Sequence, residues 1–277
     1  MDIYGIDFTS SPGRSKPLTL ARCRLDGTVL HLLAEERWTS FAPFEAFLHR
    51  EGCWIAGIDF PFGQSRRFIE TIGWPDDWAG YTRYAAGLGR PGYRAALDAY
   101  RAPRPVGDKE HRRAVDVVTG AISPQKLYGV PVGLMYFEGA PRLLDSPAMI
   151  PHLKDGDPER VIVEAYPGIL TRNLLERKGA SYKNDTRAKQ STTHMATRQQ
   201  IIERLSVSSN PYGLVASGIE TLADDPTGDR LDAFLCAVQA AWAWTHRASG
   251  YGAPPDLDPL EGWIADPVVR NSCKAAL

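Results

Sequence analysis

The tetrapeptide Gly-Ile-Asp-Phe closes two short apolar runs in this chain, once at residues 5–8 and again at residues 57–60. Each run reads as a buried strand that ends by presenting a carboxylate, Asp7 in the first and Asp59 in the second. A charge at such a place is costly unless it is neutralised, paired or bound to a cation. The flanking segments differ: a hairpin pattern follows one copy, and an aromatic, basic stretch follows the other. The repeat is therefore two strands answering one demand, not a duplicated domain.

Ile3 to Phe8 is the first strand, stopped by the polar turn Thr9-Ser10-Ser11-Pro12-Gly13. Pro17 to Leu25 alternates around Leu18, Leu20 and Cys23, and Thr28 to Glu35 follows after Asp26-Gly27, a strong hairpin signal. These three strands predict an antiparallel meander. Phe41, Phe44, Phe47 and Leu48 recur at helical spacing after Thr39 and Ser40, and Gly52 ends the helix. Trp54 to Ile58 has no alternation, the pattern of a strand covered on both faces. A right-handed crossover through the helix allows this strand to lie parallel to another strand of the sheet. Beside the first strand, it would bring Asp7 and Asp59 to one edge.

Residues 60–159 are rich in Pro, Gly, aromatics and arginine, and read as an insertion between a first core segment (1–59) and a second (160–250), with an irregular tail at 251–277. Between Arg66 and Lys126 there are eleven Lys or Arg against seven Asp or Glu, a local excess of +4 that leaves −5 elsewhere. The core resumes at Val161-Ile162-Val163-Glu164, followed by helices over about 168–177, 196–205 and 226–246. The formal charge of −1 gives the whole molecule no bulk attraction to a polyanion, so any basic surface is local. Four separated cysteines without a CxxC pair argue against a zinc ribbon and a disulfide scaffold and point to a reducing cytoplasm. No apolar stretch approaches the roughly 18 residues of a membrane span.

The last helix separates capping from chemistry. Asp225 before Pro226 is an expected N-cap with Pro at N1, and Asp229 in the second turn suits the helix dipole. Asp232 has no such excuse, since Leu231 through Trp244 contains only Asp232 and Gln239 as polar side chains. Residues three apart share a face, so Asp229 and Asp232 can aim at one point above the strand ends. Carboxylates converging without Cys or His favour a hard cation, magnesium or manganese. Two such ions about 4 Å apart can activate water and stabilise a leaving oxygen during phosphodiester cleavage.

An acid on the first strand of a three-stranded meander, another on the fourth strand and one or two on a late helix resemble the ribonuclease H-like superfamily. Gly228-Asp229-Arg230-Leu231-Asp232-Ala233 is similar to the helix-borne acid pair of its Holliday-junction resolvase branch. More closely, Gly57-Ile58-Asp59-Phe60-Pro61-Phe62-Gly63, Val163-Glu164-Ala165-Tyr166-Pro167-Gly168 and Ser181-Tyr182-Lys183-Asn184-Asp185 resemble phrases of a bacterial family of unknown function, numbered 429, described as ribonuclease H-like nucleases. That resemblance covers most of the chain. It implies an α/β fold with a mixed five-stranded sheet flanked by helices, and a large helical or irregular insertion after the fourth strand. It also implies a metal-dependent nuclease acting on DNA or RNA, with Asp7 bridging two Mg or Mn ions, Asp59 and Asp232 as further ligands, and Asp229 as an alternate.

Glu164 has two readings, a site residue or an acceptor of backbone hydrogen bonds in its Glu-Ala-Tyr-Pro turn. Trp74, Trp78, Tyr81, Tyr84, Tyr93 and Tyr100, interleaved with arginines including Arg66, either stack bases while the arginines hold phosphates of a single-stranded substrate, or pack a helical subdomain with the arginines on a solvated face. Lys126 and Lys183 are candidates to meet a phosphate, with a surface ion pair to Asp185 as the plainer role for Lys183. The actin-like ATPases and sugar kinases share this core, and Asp7-Phe8-Thr9-Ser10-Ser11-Pro12-Gly13 has the look of their phosphate hairpin. No second glycine-rich loop supports them, and GxxxxGK and GxGxxG are absent. A catalytically silent binding module is the third reading. A Ser or Cys hydrolase lacks even a Gly-x-Ser-x-Gly.

Overall fold

A computed structural model describes residues 1–176, 181–184 and 189–272. In chain order the elements are β1 (Asp2–Asp7), β2 (Leu18–Asp26), β3 (Val29–Trp38), α1 (Ala42–Leu48) and β4 (Trp54–Ile58). Five helices follow: α2 (Arg66–Ile72), α3 (Trp78–Gly87), α4 (Gly89–Arg101), α5 (Ala114–Thr119) and α6 (Val132–Asp145). Then come β5 (Ala148–Met149), β6 (Asp157–Glu164), α7 (Pro167–Leu175), α8 (Thr192–Leu205), β7 (Val215–Ser217), α9 (Asp229–Thr245) and α10 (Pro267–Ser272). The fold is α/β, a mixed seven-stranded sheet in the order β5-β6-β4-β1-β2-β3-β7 with helices on both faces. The expected five strands form its interior. The two added edge strands have two and three residues, too few to leave a periodic signature.

The meander forms as its hairpin signal requires, with β1–β2 and β2–β3 antiparallel. The turn sits one residue later than expected: Asp26 pairs with Val29, and the loop is Gly27-Thr28, with Gly27 at φ 57° supplying the left-handed backbone. A bulge opposite Arg22 and Cys23 pushes Leu33 out, leaving it 51% exposed. On the other side, β4 runs parallel to β1, and β6 parallel to β4.

All five residues of β4 are buried, because both faces of the sheet are covered. Ile3, Ile55, Val161 and Val163 pack with Leu170, Ile201, Phe234 and Val238 of α7, α8 and α9. Tyr4, Ile6, Ala56 and Ile58 face the opposite way, toward Phe44 and Phe47 of α1 and Tyr81, Tyr93 and Tyr136 of α3, α4 and α6. The helices after Phe60 thus share the core of the sheet. Trp74, Trp78, Tyr81, Tyr93 and Tyr100 are buried there, and only Tyr84 of the six aromatics is exposed, at 48%. Their spacing serves packing.

Helix α9 lies against the centre of the sheet, and two glycines let it come close. A Cβ on Gly5 would sit 1.9 Å from the Ala233 carbonyl oxygen, and one on Gly57 would sit 2.3 Å from that of Cys236. The helix starts at Asp229, not near Pro226, because Gly228 adopts φ 75° and interrupts the helical path. Asp225 still caps it from outside, its carboxylate accepting from the backbone N–H of Thr227 at 3.0 Å and of Arg230 at 3.1 Å. Beyond residue 250 the chain returns to the core, where Trp263, Ile264 and Ala265 are buried ahead of α10. Among the described residues, no helix is long and apolar enough to cross a membrane.

Candidate functional site

Side chains alternate along a strand, so Asp7, two residues after Gly5, and Asp59, two after Gly57, both project on the α9 side of the sheet. The pairing places Gly5 opposite Gly57 and Ile6 opposite Ile58, and Asp59 N–H donates to the Ile6 carbonyl at 3.0 Å. The two residues therefore end neighbouring strands at one edge of the sheet, and both line one cleft. The first turn of α9 carries Asp229 and Asp232 on the same side. A cleft of about 400 Å³ opens over Asp7, Asp59 and Asp229, and Asp232 is held from its wall by Lys183. Its rim is built by Ser10, Ser15 and Lys16 from the β1–β2 loop, by residues 129–131, and by Lys183 and Asn184.

Asp7, Asp229 and Asp232 are all at least 96% buried, and their partners are unequal. The Lys16 ammonium lies 2.9 Å from Asp229 Oδ1. Asp232 accepts the Tyr182 hydroxyl at 2.5 Å and also the Lys183 ammonium, whose stem crosses Gly228. Asp7 Oδ2 is buried with no hydrogen-bond partner among the described residues. Among the described residues, four carboxylates face two ammonium groups, a formal excess of −2 if all are ionised.

Burial dominates the titration of the site, and the neighbouring acids add to it. Burial pushes the Asp7 carboxyl well above its usual range; Lys183 opposes the shift and Asp232 adds to it. Burial, reinforced by Asp232 and opposed by Lys183, raises Asp59 to about 7. Burial pulls the Lys183 ammonium down, but Asp232, Tyr182 and Asp7 outweigh it and leave it well above its usual value. Among the described residues the helix acids are each paired directly with a lysine, and the strand acids are not.

Glu164 is placed differently. Its Oε1 accepts from Arg113 Nη2 at 2.6 Å, and its Oε2 from Arg113 Nη1 and the Phe62 N–H, each at 2.8 Å. Arg113 is 1% exposed and also binds Asp116 through Nε at 3.0 Å and Nη2 at 2.8 Å. This buried triad ties the insertion to the end of β6. Glu164 remains close enough to Asp59 to help raise its carboxyl.

Of the three proposed substrate-binding cations, only Lys183 lines the cleft. The expected ion pair of Lys183 with Asp185 falls outside the described residues, since Asp185 is not described. Lys126 lies over the Tyr128 ring, its Nζ 5.1 Å from the centroid. Arg66 is spent on Asp258, at 2.6 and 2.7 Å, and on Glu70 at 3.2 Å. Sequence reading missed Lys16, Tyr182 and Arg113. Lys16 and Tyr182 stood next to motifs already singled out, but only the packing of α9 shows what they touch.

Among the described residues, no three acidic, histidine or cysteine side chains are already closed around one point as a ligand shell. The donor set nonetheless suits a hard cation: oxygen donors only, one of them buried and unpartnered.

No curated protein matches the chain, and no solved structure does. The model of the family described as a protein of unknown function, DUF429, matches residues 5–256, a span that holds both Gly-Ile-Asp-Phe copies, Glu164 and the Asp229–Asp232 pair, and the chain belongs to that family.

Proposed function

We propose that the protein is a metal-dependent hydrolase of nucleic-acid phosphodiester bonds built on a ribonuclease H-like core. The observation that carries this reading is the carboxylate oxygen of Asp7, buried and unpartnered among the described residues, in a cleft lined by three acids and two lysines with Asp232 behind its wall. The order of the inner strands, β6-β4-β1-β2-β3, supports the fold assignment, with the acids following its first and fourth strands and opening a late helix.

Asp7 and Asp59 are the residues that would hold a divalent magnesium or manganese ion, with Asp229 and Asp232 completing a two-ion site. Such ions supply an activated water and charge neutralisation at the leaving oxygen. The chain's own residues do the rest. Lys16 and Lys183 neutralise Asp229 and Asp232 in the free protein, and both border the cleft where a phosphate oxygen would compete for them. The Tyr182 hydroxyl fixes the orientation of Asp232.

The test is calorimetric titration of manganese into the wild type and an Asp7→Asn, Asp232→Asn double variant, with cleavage assays on DNA, RNA and hybrid substrates. Metal binding and cleavage in the wild type, both lost in the variant, are expected. Unchanged metal binding in the variant would sink the assignment. The β1–β2 loop along the cleft favours one other reading, phosphoryl transfer from a nucleotide. ATP binding with slow hydrolysis and no nuclease activity would decide for it, and nucleic-acid binding without any hydrolysis would decide for a silent binding module.

A further inference from the structure

A second cavity of about 250 Å³ adjoins the acid cleft. The two share Asp59, Val130 and Met135, so Asp59 stands on their boundary. Their chemistry differs sharply. The second cavity is walled by Phe60, Ala121, Ile122, Val132, Tyr166 and Ile264. Besides Asp59, the charged groups lining it are Arg113, Asp116 and Glu164, already paired with one another. It therefore offers apolar surface rather than free charge.

The rim is apolar as well. Ten large apolar side chains are notably exposed among the described residues, and five of them, Val117, Val118, Ile122, Tyr128 and Val130, fall within residues 117–130. Two of these, Ile122 and Val130, line the cavity. Exposed apolar side chains that line a concave site, as Ile122 and Val130 do, mark a place where something apolar binds.

We infer that this cavity holds the base of an unpaired nucleotide whose phosphate lies in the acid cleft, so that the substrate is single-stranded or locally unpaired nucleic acid. The inference rests on the nuclease reading above and adds the substrate class. A nucleotide joins an anionic phosphate to a flat ring with apolar faces, one sugar apart. The two compartments meeting at Asp59 have that same sequence of chemistries. A base inside a duplex is stacked on both sides and paired, so it must leave the stack before it can enter such a cavity, at a cost that a single strand avoids. Contact with ring faces is tolerant of sequence.

The experiment measures binding without metal, in chelator, by fluorescence anisotropy of a labelled single-stranded DNA or RNA of about eight nucleotides, within the span of one single-strand site. Each is compared with an abasic oligomer of equal length and with a duplex. The wild type is expected to bind the base-bearing strand of at least one polymer about tenfold more tightly than its abasic counterpart, the scale of one base contact, and more tightly than the duplex. Ala121→Phe, which fills the cavity, should abolish that preference. Ile122→Ala, at an exposed position that spares the fold, should reduce it, with circular dichroism reporting the fold of both. Equal affinity of the wild type for base-bearing and abasic strands overturns the inference, as does a preference unchanged in both folded variants or a duplex bound more tightly than the single strand. Cleavage is read separately after adding manganese. A base preference that disappears in Ala121→Phe, with no cleavage of any substrate, would overturn the nuclease reading while leaving the base cavity standing.

Discussion

Gly5 and Gly57 lie opposite each other in the parallel pairing of β1 and β4, and both are pressed against the backbone of α9. Their missing side chains set the depth at which the first turn of α9 meets Asp7 and Asp59. Gly5→Ala would put a Cβ 1.9 Å from the Ala233 oxygen and 2.3 Å from the Ala237 nitrogen, atoms of a helix backbone that cannot yield locally. We expect Gly5→Ala to lose about 1–3 kcal/mol or more in urea denaturation, and to weaken manganese binding by shifting Asp229 and Asp232. Gly13→Ala, with nothing within 4 Å of the new Cβ, is the control and should stay within about 0.5 kcal/mol of wild type.

The raised carboxyls set a pH dependence with a definite sign. Asp59 titrates near 7 in the fold and near 4 in the unfolded chain. The native state therefore holds the extra proton, and stability falls as pH rises from about 4 through about 7. Asp7 acts in the same direction, while His111, lowered chiefly by burial, acts in the opposite one. Comparison with Asp59→Asn isolates the term. In chelator, the wild type should lose on the order of 2–4 kcal/mol relative to the variant between pH 4 and pH 8. A flat difference across that range would contradict the raised Asp59 carboxyl.

Arg113 compensates two buried carboxylates at once, Asp116 and Glu164. Arg113→Met leaves both without a counter-charge and should cost about 3–5 kcal/mol. Glu164→Gln keeps an acceptor for the Phe62 N–H and should cost less. Since Glu164 is bound to Arg113 rather than turned to the acid cleft, Glu164→Gln should leave manganese affinity within a few-fold of wild type by calorimetry.

Lys16 is 43% exposed at its side chain, but its partner Asp229 is only 4% exposed, so removing the lysine leaves a buried carboxylate without its counter-charge. Lys16→Ala should cost about 1–3 kcal/mol in urea denaturation, the scale of a buried acceptor left unsatisfied. If Lys16 turns to a phosphate when substrate binds, the variant should bind a single-stranded oligonucleotide more weakly, with a log–log salt slope shallower by about 0.7. An unchanged slope would confine Lys16 to its pair with Asp229.

Much of the core was legible because its signals are local. The Asp26-Gly27 hairpin, the unbroken apolar run before Asp59 and the lone acid in an otherwise buried helix each report a backbone or burial requirement within a few residues. Arg113 was not legible. Its significance depends on Glu164, 51 residues away, and an arginine among many arginines carries no mark of being buried. Arg66 gave the converse error for the same reason, since its partner Asp258 lies 192 residues along the chain.

The sequence by itself determined that two strands end in carboxylates and that Asp232 requires a partner, because burying an unpaired charge is costly wherever the chain goes. Tertiary structure alone decided who the partners are. Docking α9 on Gly5 and Gly57 brings four acids to one edge, gives Asp229 and Asp232 a lysine each, and leaves Asp7 with an oxygen that nothing in the described chain satisfies. The glycine, the acid and the phenylalanine of the repeated tetrapeptide separate onto the two faces of the sheet. Glycine admits the helix and the acid meets it, while Phe8 and Phe60 pack together on the far side with centroids 4.6 Å apart. That division follows from strand alternation, but its chemical use exists only once the helix is in place.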